Sequence, residues 1–157
     1  MRNSKLSPRR ISRSLAVQGI YHFQTNPKSV SEIEDFLQNS NDELFTKANY
    51  DLLHYLLDMV TSNFALSLEQ YTSHSSRPIN EIQPIEKAVL AIAAIELKHS
   101  LEVPAPVIIN EAIELAKLYG GEDSFKFVNG LVDKLANDIR QSEMEHFRNN
   151  PRPRSKA

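Results

Sequence analysis

The chain has no cysteine and only four glycines. Without cysteine there are no disulfides, no thiolate metal sites and no cysteine nucleophile, which suits a reducing, cytoplasmic compartment. Four glycines leave few backbone cradles for phosphate, and no P-loop, GxSxG or GxGxxG motif occurs. The histidines, His22, His54, His74, His99 and His146, lack the HExxH spacing of a zinc site. No metal or other cofactor is therefore expected. No apolar run approaches the roughly 18 residues that span a bilayer, and the basic start is not followed by a signal-peptide core. No stretch alternates apolar and polar residues long enough to make a sheet.

What the chain does have is enough apolar content for a core. Its 157 residues are 41% hydrophobic and 24% charged, which fits one domain, and the length is expected to leave no room for a second, catalytic one. The net charge of -2 conceals segregation. Arg2, Lys5, Arg9, Arg10, Arg13 and Lys28 precede residue 31 with no acid among them, and Arg148, Arg152, Arg154 and Lys156 end the chain, while all 20 acids lie between. Basic ends on an acidic body suggest a local polyanion site, although charged termini also serve solubility alone. Residues 1–147 are read as the domain and 148–157 as a basic, disordered tail.

Helical signals recur along the whole length. Ser7-Pro8 reads as a cap and first-turn proline, opening a helix to about Gln24. Ser31 with Glu34 has capping-box spacing for a second. A long helix or broken pair is expected over 42–71, with Leu52, Leu56, Met59 and Val60 inward, then a polar linker over 72–80. Pro84 opens a helix ending near His99-Ser100. Pro104 and Pro106 introduce another, whose Ile109, Ala112, Ile113 and Ala116 recur at i, i+3, i+4 and i+7 as a buried face. Gly120 and Gly121 are expected to end it in the left-handed conformation, and Asp123 or Ser124 to cap the last helix, packed through Val128, Leu131, Val132 and Leu135. The fold class is all-α, a bundle of about six to seven helices.

Two places could carry binding chemistry. On the first helix Arg10, Arg13, Val17 and Tyr21 fall within about 80 degrees of one another, opposite Ile11, Leu15 and Gly19. Arginine forks hold phosphates and an aromatic ring stacks on an unpaired base, so the face fits single-stranded RNA; packing of Tyr21 in the core fits the spacing equally. The second place is the turn before the last helix, where a helix N-terminus favours anions, Lys126 adds charge, and Tyr119, Phe125 and Phe127 supply rings. Glu122 and Asp123 oppose a phosphate there. Asn110, Glu111 and Asn129 read as exposed or capping polar residues, with partner contact as the sharper alternative.

Three blocks, RRISRSLAVQGIY from Arg9 to Tyr21, IEKAVLAIAAIEL from Ile85 to Leu97, and VPAPVIINEAIELAKLYGGEDSFKFVNGLVDKLA from Val103 to Ala136, resemble the NusB transcription antitermination family. The resemblance implies a helical RNA-binding protein without catalysis. Such a protein joins NusE, a small-subunit ribosomal protein, on the boxA element of ribosomal-operon leader RNA and helps RNA polymerase pass terminators. By motif position it implies RNA contacts for Arg9, Arg10, Arg13, Tyr21, Tyr119, Lys126 and Phe127, a charge that tunes binding at Asp123, and a partner surface at Glu86 and Asn110, centred on the Ile85–Leu97 helix and the start of the last helix. Some relatives pair through the RNA-facing surface, so a homodimer is also carried as an expectation. The chain departs at Ile11 and Ala91, where many relatives are basic. Two other classes stay open: a helical-bundle enzyme whose N-terminal arginines hold a small dianion in a pocket, and a structural adaptor that does not need them.

Overall fold

Ser7 accepts the Arg10 N-H at 3.1 Å and Pro8 occupies the first turn, so helix α1 (Pro8–Thr25) starts where its cap allows. The computed structural model describes residues 6–150, which form α1, α2 (Val30–Ser40), α3 (Asp42–Lys47), α4 (Tyr50–Ser62), α5 (Phe64–Glu69), a 3-10 turn at Ile79–Glu81, α6 (Pro84–His99), α7 (Ala105–Tyr119), α8 (Glu122–Ile139) and α9 (Gln141–Asn149). Among these residues no strand occurs, and no helix is long and apolar enough to cross a membrane. The tail beyond Asn150 lies outside the described residues, and Arg148 and Asn149 still belong to α9.

The helix number exceeds the expected six to seven because asparagines divide the 42–71 segment into three helices and because α9 follows α8. Asn41 caps α3 through Leu44 N-H, Asn49 caps α4 through Leu52 N-H, and Asn63 ends α4. Asparagine side chains bond nearby backbone groups, Asn41 and Asn49 by accepting an N-H and Asn63 by donating to Met59 O at 2.8 Å, so each marks a break. Leu52, Leu56 and Val60 face inward as expected, joined by Leu53 and Leu57, while Met59 is only partly buried. The second helix is capped two residues earlier than its spacing suggested: Ser29 and Glu32 form the capping box, while the Glu34 carboxylate goes instead to Tyr50 and His54.

The core centres on α6, which is buried continuously from Ala88 to Leu97. A helix apolar on all sides must be surrounded, and α1, α4, α5, α7 and α8 pack around it. Tyr71, fully buried, donates its hydroxyl to Leu90 O at 2.7 Å, and burial pushes its pKa up, so it stays a donor. This surrounds the helix expected to centre a partner surface and leaves only its two ends accessible.

The α7 to α8 turn corrects two expectations. The buried face of α7 is Ile108, Glu111, Ala112, Leu115 and Ala116, one position from the expected stripe, with Ile109 and Ile113 half-buried at its edge. Gly120 and Gly121 are both extended, at φ -102 and -85, rather than left-handed. Gly120 is required by close approach instead: a Cβ there would lie 2.6 Å from Ser124 Cβ and 3.0 Å from Ala116 O. Ser124 does not cap α8 but lies within its first turn and reaches Glu86. Gly120→Ala should therefore push α8 off α7 and cost about 1–3 kcal/mol, an overpacking penalty readable as a lower urea midpoint at unchanged slope. An unchanged midpoint would mean that Ser124 yields freely.

Candidate nucleic-acid interface

Tyr119, at the end of α7, ties that helix to α1: its hydroxyl lies 2.5 Å from Ser14 Oγ and accepts from Gln18 Nε2 at 2.8 Å. One turn along α1 from Gln18, Tyr21 is 43% exposed. Tyr21 and Tyr119 line one open groove with Gln83, Pro84 and Ile85, the entry to α6. Two aromatic residues nearly a hundred positions apart thus face the same solvent, and Gln24 fixes the groove floor by donating to Pro84 O at 2.8 Å.

The arginines of α1 diverge. Arg9 is exposed but turns the other way, lining grooves with Asn49, Tyr55 and Glu102. Arg10 is half-exposed and donates to both Glu111 oxygens, with Nη2 to Oε2 at 2.7 Å. That hydrogen bond, opposed by partial burial and aided by the charges of Glu111 and Glu114, raises its pKa. Arg13 and Val17 correct the expectation of an exposed face, because both are buried, Arg13 to 4% exposure. Its guanidinium forms a bidentate pair with Glu96, Nε to Oε1 at 2.9 Å and Nη2 to Oε2 at 2.8 Å, with Glu111 at 3.9 Å. Burial lowers the Arg13 pKa, but the bonds and charges of Glu96 and Glu111 outweigh it, and the net shift is upward. Ile11 and Ala91 are core positions too, at 3% and 0% exposure.

Glu86 is likewise not a surface residue. At 3% exposure, its carboxylate accepts from Arg77 Nη1 at 3.0 Å, Gln83 N at 3.2 Å and Ser124 Oγ at 2.8 Å. The carboxylate sits at the N-terminus of its own helix α6, as the dipole favours, and meets the first turn of α8 only through the Ser124 hydroxyl. No partner can reach it directly. Asp123 and Lys126 are exposed on α8 and Asn110 on α7. Phe125 and Phe127 are both half-buried, each beside a cation: Lys117 Nζ lies 5.1 Å from the Phe125 centroid, and the Arg77 guanidinium carbon 3.6 Å from that of Phe127. Arg77, in the segment read as a polar linker, was missed. Its one signal in the sequence is isolation, as the lone Lys or Arg between Lys47 and Lys87.

A dianion-binding pocket is not what the arginines build. Arg13 borders a cavity of about 10 Å³, room for one water, lined by Glu96 and Glu111, and with Arg9 an open groove of about 460 Å³ lined by Glu102 and Glu111. Two carboxylates in each would repel a small dianion. The fold and its outward-facing rings and cations define a small all-helical binding protein.

The sequence model of the NusB family matches residues 10–137. The chain is 44% identical over 145 residues to the transcription antitermination protein NusB of Burkholderia lata, covering 92% of this chain and 99% of that one, and 43% identical to its Burkholderia vietnamiensis counterpart over the same shares. A solved structure of T. maritima NusB superposes with a TM-score of 0.73 at 26% identity, covering 88% of this chain and 98% of that chain. The chain belongs to the NusB family of transcription antitermination factors, which are not enzymes.

Proposed function

We propose that the protein binds the single-stranded boxA element of ribosomal-operon leader RNA together with NusE, and so supports passage of RNA polymerase through terminators in ribosomal RNA operons. The observation that carries this reading is the groove shared by Tyr21 and Tyr119, with half-exposed Arg10 on the same helix as Tyr21 and exposed Lys126 on α8. Rings that stack bases beside cations that hold phosphates are the equipment of single-strand recognition. Arg9 can contribute to RNA only from the opposite flank of α1. Arg13 acts on binding through the position of α1 rather than by touching phosphate. Asp123 adds a negative charge beside the path of the RNA, and Asn110 with exposed Pro84 and half-buried Ile85 at the entry to α6 is the accessible part of the NusE surface.

Lys126→Ala tests the reading with little risk to the fold, since the side chain is exposed. Titration of boxA-type RNA by fluorescence anisotropy, with and without NusE, should show the slope of log affinity against log salt falling by about 0.7, the value for one phosphate contact on a single strand. Equal affinity of the unaltered protein for boxA and scrambled RNA, with and without NusE, would overturn the proposal.

A further inference from the structure

We propose that the Arg77 guanidinium, lying on the Phe127 ring and held by Glu86, is a platform on which one base of the bound RNA stacks; this rests on the RNA-binding reading above. Phe127 was the ring expected to stack a base, yet Arg77 covers it at 3.6 Å. The stacking surface available to a ligand is therefore the outer side of the guanidinium. Its orientation is fixed twice over. The ring supports one side, and Glu86, buried and anchored by Gln83 N and Ser124 Oγ, holds Nη1 at 3.0 Å. With those contacts made, a third of the side chain is still open, at 33% exposure.

A planar guanidinium fixed before the ligand arrives stacks a base without paying the entropy of ordering a long side chain. The paired carboxylate also favours a base over a phosphate. Glu86 offsets the charge of Arg77, whereas exposed Lys126 on α8 has an ammonium suited to phosphate. The platform adjoins the tyrosine groove, because Gln83, whose N-H binds Glu86, lines that groove with Tyr21 and Tyr119. Bases on Tyr21 and on Arg77 would then belong to one continuous strand.

Arg77→Lys is the informative variant, since it keeps the charge and the ion pair with Glu86 and removes only the plane. Affinity for a short boxA-type RNA should fall about tenfold, the order of one lost stacking contact, with the salt slope unchanged. A scan of the same RNA with single abasic sites should reveal one position at which the unaltered protein loses that factor and Arg77→Lys loses nothing further. Phe127→Leu, which removes the support and no charge, should single out the same position. Circular dichroism melts of each variant separate lost binding from lost folding. Arg77→Lys binding as tightly as the unaltered protein, equal losses at every abasic site, or a salt slope reduced by about 0.7 in Arg77→Gln, which removes the charge, would each overturn the platform. The first two place the residue outside the site or in the fold, and the third makes it a phosphate contact. If the unaltered protein fails to prefer boxA RNA, the RNA reading itself falls before any variant is compared.

Discussion

Arg13→Ala is expected to destabilise the fold by about 3–5 kcal/mol, the cost of leaving one member of a buried ion pair without its partner. Arg13 joins three helices: it sits on α1, grips Glu96 of α6 with two hydrogen bonds and lies near Glu111 of α7, which Arg10 holds from the rim. Removing it strands the Glu96 carboxylate, at 1% exposure, among apolar neighbours. For a domain of this size the melting temperature should drop by roughly 6 to 20 °C, measured by calorimetry. The double variant Arg13→Met with Glu96→Leu should recover most of that loss, because it removes both charges at near-constant volume and leaves Arg10 paired with Glu111. A single variant as stable as the unaltered protein would mean that water reaches Glu96 and that the pair is not a buried one. RNA affinity lost in Arg13→Ala is expected to follow the loss of structure, so at low temperature, where the variant is folded, the salt slope should match that of the unaltered protein.

Arg140 carries the other large expected effect. Buried at the end of α8, it donates to four backbone oxygens, Glu96 O at 3.0 Å, Leu97 O at 2.9 Å, Ser100 O at 2.9 Å and Val103 O at 2.6 Å, and to Glu143 Oε1 at 3.1 Å. The last carbonyls of a helix have no intrahelical donor, and a cation at that end also suits the dipole. One side chain thus closes the C-terminus of the central helix and fastens the α6 to α7 loop to α8. Arg140→Ala should cost about 3–5 kcal/mol, because Leu97 O and Val103 O lose their donor inside the protein, while Glu96 O keeps Ser100 N-H and Ser100 O keeps Val103 N-H. Arg140→Lys should regain only part of it, since an ammonium cannot span the carbonyls that the guanidinium fork reaches. Urea denaturation of the three proteins provides the comparison. Equal midpoints for Lys and Arg would show that charge alone, rather than the fork, holds the loop.

Much of the fold was legible in the sequence because it depends on short-range rules. Ser7-Pro8 set the start of α1, Pro84 the start of α6, and the spacing of Val128, Leu131, Val132 and Leu135 the buried face of α8. Caps and apolar periodicity act within one or two turns, so they can be read without knowing what lies opposite. The charge segregation and the family resemblance were legible for the same reason: both are properties of the chain itself. Angular spacing alone put Arg10, Arg13 and Tyr21 on one helix face, and it could not say what that face meets. Tertiary packing sent Arg13 inward, because Glu96 and Glu111, 83 and 98 positions away, supply the charges that make its burial tolerable. It also buried Glu86 against Ser124, laid Arg77 on Phe127, and turned Arg140 into a helix cap, each through partners far along the chain. The sequence by itself determined the helices, their likeness to a family and the two regions rich in cations and rings. Which of those side chains remain free to meet a ligand was decided by the tertiary structure alone, since the buried carboxylates that claim the others come from distant helices.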